Sequence, residues 1–147
     1  TDGLAPAGAW VAVRGSLFTP EDFPAWLLLG IVTLWIAGFD LIYACQDVEV
    51  DRRDGLYSIP AQFGIAAALR LSSLCHAGML LGLIALGLSC SLGLPYWAGI
   101  ALCALLLAYE HSIVKPDDLS RVNVAFFNVN GYISLILFFS TFASILL

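Results

Sequence analysis

Four aspartates are the residues in this sequence with the clearest chemistry. Asp47, Asp51 and Asp54 fall within eight positions of the stretch YACQDVEVDRRDGLYSIPAQFG, residues 43–64, and Asp40 interrupts the apolar run that leads into it. On a helix advancing about 100° per residue, with Asp40 at zero, Asp47 falls at about −20°, Asp51 at about +20° and Asp54 at about −40°. Tyr43 follows at about −60°, whereas Glu49 lies opposite at about 180°. If the helix continues to Asp54, four carboxylates make one stripe, with Asp47 and Asp51 direct neighbours at i and i+4.

Such a stripe is costly. Like charges at i,i+4 repel, and a carboxylate inside an apolar run carries a further desolvation penalty. One reading is a hydrated interfacial loop in which the acids pair with Arg52 and Arg53. The other is a divalent cation, which replaces repulsion by coordination and accounts for Asp40 and for the one-sided phase as well. No His or Cys joins the row, so the ligands are hard oxygens, suited to Mg²⁺ or Ca²⁺ rather than to zinc or copper. Mg²⁺ is typically held by one or two carboxylates together with substrate phosphates. An Asp-x-x-x-Asp pair on a helix at a membrane face therefore suggests a metal bridge to a diphosphate.

The elements that must position this row are set by composition. The chain is 61% hydrophobic and 12% charged over 147 residues, about half the charge of an ordinary soluble domain. Lipid is the expected solvent. Four full spans are expected, over about 23–43, 66–88, 94–109 and 122 to the C-terminus, after a partial first one that ends at Arg14 and resembles the tail of a longer helix. The fold class is all-α, a polytopic transmembrane helix bundle. Alternating spans place Arg52, Arg53, Arg70, Lys115 and Arg121 on one side and Arg14 on the other, so the acid row and the loop EHSIVKPDDLSR are expected at the cytoplasmic face. The four cysteines form no Cys-x-x-Cys pair and are read as small buried hydrophobes. A net charge of −5 argues against nucleic acid as a partner.

The residues also carry a family resemblance. The stretch FDLIYACQDVEVDRRDGLYSIPAQFG, through Asp40, Tyr43, Asp47, Asp51, Gly55, Ser58 and the Phe63-Gly64 pair, resembles the second aspartate-rich region of the UbiA superfamily of membrane prenyltransferases, closest to the 4-hydroxybenzoate polyprenyltransferases. The downstream YEHSIVKPDDLSRVNVAFFNVNG is similar to the late helices of bacterial members, particularly those of menaquinone pathways. The resemblance implies a nine-helix bundle with two facing aspartate motifs, of which residues 1–147 form the C-terminal part of a single domain. It implies transfer of a polyprenyl group from its diphosphate to an aromatic acid, with Mg²⁺ on Asp47 and Asp51 and Asp40 a cavity carboxylate beneath them. The metal neutralises the leaving diphosphate, and the allylic cation is attacked by the electron-rich ring. The first aspartate motif is absent here, so an N-terminal half of the same enzyme is expected, and Tyr57 stands where many members carry a lysine. The implied setting is a bacterial plasma membrane, in ubiquinone or menaquinone biosynthesis.

Several further residues bear on the site. Asp40 and Tyr43 are assigned catalytic roles, and Tyr43 could touch diphosphate or cation or be an ordinary interfacial tyrosine. Asp54 and Asn130 are assigned to substrate binding. Asn123 and Asn130, seven apart, are expected on one inward face of the last span, with helix–helix contact the plainer role. His76 is read as a hydrogen-bonded residue between helices, Arg52 and Arg53 as topology determinants, and Gly78, Gly82 and Gly87 as close-packing sites. Lys115 to Asp118 is expected to end one helix and cap the next. The rival function is a divalent-cation transporter with the acid row as its mouth. That rival would need polar groups through the membrane midplane, and these crowd one half of the spans instead.

Overall fold

The computed structural model describes residues 2–147. The described residues are helical with no strand beyond one isolated bridge between Lys115 and Asp118. Helix α1 (Ala5–Arg14) precedes α2 (Phe23–Ala44), which runs through a 3₁₀ turn (Cys45–Asp47) into α3 (Val48–Asp54). A short α4 (Ile59–Phe63) leads to α5 (Ile65–Ser89), α6 (Leu94–Ile113), a π-helical segment (Val124–Val129) and α7 (Asn130–Leu146). Four of these helical runs are long and apolar enough to cross a membrane: Pro20–Asp54, Ile65–Ser89, Leu94–Ile113 and Val124–Leu146. The expected spans agree to within a few residues, except that α6 runs four residues further than expected and carries Glu110 and His111 with it.

Small residues allow the helices to approach, as they must where lipid gives no hydrophobic drive to associate. At the crossing of α2 and α5, Gly38 has no side chain because the His76 ring occupies the space a Cβ would need. Ser72 Oγ donates to the Gly38 carbonyl at 2.7 Å across the same crossing. Higher on α5, a Cβ at Gly82 would meet Ile31 and one at Gly87 would meet the Tyr96 ring, while Gly78 faces Leu34. Tyr96 is buried and donates through its hydroxyl to the Leu83 carbonyl at 2.8 Å, tying α6 to α5. α7 closes onto α6 where Ser140 fills the space beside Gly99, and Ser144 Oγ accepts from Gly93 N–H at 2.7 Å. The core is the seam of α2, α5, α6 and α7, around Phe39, Met79, Leu83, Tyr96, Cys103 and Ile133.

At the other end of α2, Asp22 is buried and accepts from Trp10 Nε1 (2.8 Å), Ser16 Oγ (3.0 Å), Thr19 N–H (2.9 Å) and Thr19 Oγ1 (2.7 Å). This knot fixes α1 against the start of α2. The four cysteines are free, and Cys90 is exposed rather than buried because it follows the last turn of α5.

The antiparallel order of α2, α5, α6 and α7 places the loop after α3 and the loop after α6 at one end of the bundle. In a background lacking the native cysteines, thiols introduced at residues 54 and 118 are expected to react with an impermeant reagent from the same membrane face. Thiols at residues 18 and 92 are expected to react from the other. Labelling of 54 and 118 from opposite faces would contradict the alternating order.

Candidate functional site

The acid row does not form the straight stripe expected from the sequence. A 3₁₀ turn advances about 120° per residue where an α-helix advances about 100°. The turn at Cys45–Asp47 therefore rotates everything beyond it by about 60° relative to Asp40. Asp51 swings toward the packed side and is half-buried, while Asp40, Asp47 and Asp54 remain exposed. Val48 is carried into the core with Cys45 by the same rotation. Asp47 and Asp51 stay one turn apart. Among the described residues no hydrogen bond or ion pair engages either of their carboxylates, whereas Asp54 is held by Arg53 Nε at 3.0 Å.

The row ends where the backbone turns. Gly55 takes the left-handed conformation (φ 70°), and Leu56 N–H reaches back to the Asp51 carbonyl at 2.8 Å, closing α3 with a Schellman-type cap. Ser58 then caps α4 by accepting from Ala61 N–H at 3.3 Å. Gly64 lies at φ 88°, a region that L side chains rarely adopt, and separates α4 from α5. Arg52 Nε donates to the Ala61 carbonyl at 3.0 Å, so this arginine pins the hairpin of α3 and α4 in addition to marking topology. Gly55, Ser58 and Gly64 thus have backbone reasons for standing where they do.

Tyr43 remains exposed but packs sideways against the last span. Its ring lies 4.6 Å from that of Phe126, which also meets Phe39 edge-on at 6.5 Å. Phe39 in turn contacts His76 at 4.7 Å and Trp35 at 6.5 Å. One helical turn above, Gln46 Nε2 donates to Asn123 Oδ1 at 3.3 Å. The last span therefore docks on the outer end of α2 through the π segment, a kind of distortion often found at functional sites. The wider π turns also break the seven-residue phase between Asn123 and Asn130. Asn123 is exposed and held by Gln46, while Asn130 is half-buried and its side chain makes no hydrogen bond to the acid row. The two do not share the face that their spacing suggests.

Asp40 lines two hollows that adjoin at Ala37 and Asp40 on the same face of α2. The first, about 380 Å³, is shared with Gly3, Leu4, Thr33 and Ile36. The second, about 420 Å³ and largely apolar, lies between α2, α4 and α5 and is shared with Ala44, Ile59, Pro60, Leu71 and Cys75. Asp40 thus borders one apolar and one more polar hollow, below the carboxylates of Asp47 and Asp51. Lys115 and Asp118, beyond α6, exchange two main-chain hydrogen bonds of 3.1 Å around Pro116-Asp117. Asp118 Oδ1 accepts from Ser120 N–H at 3.0 Å, and the Ser120 side chain together with this N–H holds its carboxyl below the usual carboxylate range. The loop ends α6 as expected, but Asp118 closes its own turn on Ser120 rather than capping the next helix.

A model of the UbiA prenyltransferase family matches residues 2–142. The chain belongs to the UbiA prenyltransferase family. It is 34% identical over 138 residues to a 4-hydroxybenzoate octaprenyltransferase of Xanthomonas campestris pv. campestris, covering 94% of this chain and 44% of that protein. It is 34% identical over 108 residues to one of Nitrosospira multiformis, covering 74% of this chain and 37% of that protein. A third, from Cupriavidus pinatubonensis, is 31% identical over 105 residues, covering 69% and 35%. The chain thus spans under half the length of these curated relatives. No solved structure matches it significantly. Nothing in this family or these relatives supports a cation transporter. The four apolar helices and the UbiA membership together make this an integral membrane protein.

Sequence reasoning missed one group within this UbiA chain. Glu110 and His111 fall in a string read as loop, yet α6 carries them into the bundle beside His76. The signal was present: the apolar phase of α6 at Ile100, Cys103 and Leu107 continues to position 110.

The aromatic ladder makes Phe126 the piece that seats Tyr43. Phe126→Ala is expected to lower the unfolding free energy in detergent micelles by about 2 kcal/mol, less than for a fully buried phenylalanine. Phe126→Leu should recover most of that loss. A denaturant titration giving equal stability for wild type and Phe126→Ala would mean that the ladder carries no weight.

Proposed function

We propose that this chain is the second-aspartate-motif part of an integral-membrane prenyltransferase that moves a polyprenyl group from its diphosphate to an aromatic acid. The acceptor by this reading is 4-hydroxybenzoate, and the pathway that of a respiratory quinone, ubiquinone or menaquinone. The observation that carries the reading is the pairing of Asp47 and Asp51 one turn apart, with carboxylates not committed to any other side chain, above an apolar hollow that Asp40 helps to line. Membership of the UbiA family supports the reaction class.

The oxygen-only donor set fits Mg²⁺, with Asp47 and Asp51 as its ligands. When bound there, Mg²⁺ would offset the charge of the diphosphate and make it a better leaving group. The rest of the work falls to the chain itself. The half-buried Asp51 is the more constrained of the two ligands, its main-chain carbonyl accepting from the Gly55 cap and from Leu56 N–H at 2.8 Å. The apolar lining of the hollow between α2, α4 and α5 suits the first units of the prenyl chain. Tyr43, steadied by Phe126, presents an aromatic face of the kind that attracts an allylic cation. Asp40 is set to orient the acceptor or to take its ring proton. Asp54, held by Arg53, and Asn130 are the remaining candidates for substrate contact, at the rim and in the last span. The first-motif half of the enzyme supplies the facing ligands, and the site opens toward the cytoplasm, where the basic residues cluster.

The test is prenyl transfer in membranes containing the complete enzyme, with labelled diphosphate. Asp47→Asn and Asp51→Asn are each expected to lower the rate by at least about 10²-fold, in line with the loss of a main electrostatic contact, while insertion is unchanged. Glu49→Gln, which lies off the row, should retain most activity. Equal losses for Glu49→Gln and Asp51→Asn would refute the assignment.

A further inference from the structure

A second group of possible ligands lies inside the bundle, and it is chemically unlike the acid row. His76 of α5 and Glu110 and His111 of α6 converge so that one donor atom from each lies within 4.8 Å of the others. His76 Nδ1 is 3.0 Å from His111 Nε2 and 3.7 Å from Glu110 Oε1. His76 is 2% exposed and Glu110 is 0% exposed, and neither Glu110 oxygen has a hydrogen-bond partner.

The protons in the surroundings point the same way. Ser73 Oγ donates to the Leu69 carbonyl at 3.0 Å, so it receives a proton from His111 Nδ1, 3.2 Å away. His111 Nε2 then carries its lone pair toward His76. His76 Nε2 points at the main-chain carbonyl of Trp35 without reaching strict hydrogen-bond geometry. A proton on that nitrogen leaves His76 Nδ1 also as a lone pair. In this tautomer two imidazole lone pairs and a buried carboxylate face one point; in the other, His76 Nδ1–H donates to His111 Nε2 at 3.0 Å, and both Glu110 oxygens are still left without a hydrogen-bond partner. Such a point is stable only when something positive occupies it.

We propose that His76, Glu110 and His111 bind a divalent transition-metal ion of the zinc class, which joins α5 to α6. Tetrahedral coordination with bonds of about 2.0–2.1 Å places ligand atoms about 3.3 Å apart, and the two separations of 3.0 and 3.7 Å bracket that value. Two imidazoles and a carboxylate suit zinc and its neighbours, whereas the all-oxygen acid row suits magnesium. The outer contacts follow the rule that a ligating histidine donates its second ring N–H, here to Ser73 and toward Trp35. A hollow of about 360 Å³, lined in part by Arg70, Ser73, His111 and Lys115, gives a path to the half-buried His111. Arg70 and Lys115 are exposed, where water and salt screen their charge from an entering cation. The fourth position is left to water. None of this depends on the acid row or on the proposed reaction.

The probe is the metal itself, on the complete protein purified in micelles and stripped with a chelator. Zn²⁺ should bind at one equivalent, and Co²⁺ should produce the visible absorption of a four-coordinate site that Zn²⁺ then abolishes. Glu110→Gln and His111→Asn should each lose that absorption, and Ser73→Ala should weaken binding about 10–100-fold. The Asp47→Asn/Asp51→Asn double variant should keep it, which separates this site from the acid row. Absence of the absorption in wild type would mean that a proton alone occupies the point, and would overturn the proposal without reliance on any variant. Undiminished absorption in Glu110→Gln or His111→Asn would overturn it equally, since the ion would then lie elsewhere.

Discussion

The arrangement of this bundle depends on how closely α2 and α5 approach at Gly38. The missing side chain admits the His76 ring, and the exposed main-chain carbonyl becomes the acceptor for Ser72 Oγ at 2.7 Å. That contact fixes the rotation of α2 about its own axis. With Gly38, Ile42 and Cys45 turned inward, Asp40 must face away from the packed seam, where it lines its two hollows. The same contact brings His76 against Phe39 and within reach of α6. A side chain at position 38 would force the helices apart, and cores without room to adjust lose about 1–3 kcal/mol on such overpacking. Both groups of candidate ligands would then lose their registration together.

The spans were legible because apolar runs of about 20 residues have one cheap solution in lipid, a helix that satisfies its own backbone. The hairpin after the acid row was not read from the sequence, although Gly55 and Gly64 at positive φ and the capping Ser58 each carry a conformational signature. Nor was the 3₁₀ turn. Cys45-Gln46-Asp47 contains neither proline nor glycine, and the tightening arises where Val48 and Cys45 are both drawn into the core around Ile42, Ala68 and Val122. Tertiary packing set the phase of Asp51, so no local pattern could give it. The π segment was hidden for a similar reason. Tyr43 against Phe126 and Gln46 against Asn123 hold the start of the last span to α2, and the extra residue per turn takes up the mismatch.

The end of α6 was misjudged on a different principle. Charged residues in EHSIVKPDD suggested a loop, but a helix ends where its backbone must stop, and the proline is at position 116, not at 110. Val114 is the first extended residue, with Lys115 directly before the ring. The charges inside the last turn were themselves the clue. An ionisable residue that continues the apolar phase of a helix is directed inward, and intramembrane ionisable groups are functional candidates by default.

The acids of this chain sort by what meets them. Asp22 is buried and accepts four hydrogen bonds, one from a backbone N–H and three from side chains, so its charge is spread over donors from α1 and the turn before α2. Asp118 is exposed and caps its own turn through Ser120. Asp54 has Arg53 beside it. These three are answered by the protein itself, and their roles are structural or at the rim. Asp47 and Asp51 have no such answer, and Glu110, though completely buried, has no hydrogen bond and only His76 Nδ1 at 3.7 Å. A chain under pressure to fold in lipid does not leave carboxylates unanswered without cost. The difference between the two unanswered groups is solvent. Water can hydrate Asp47 and reach part of Asp51, so on the proposed reading a cation there would exchange freely with the solvent. Glu110 has no water to fall back on, so its counter-charge must be resident, either a proton or an ion that stays.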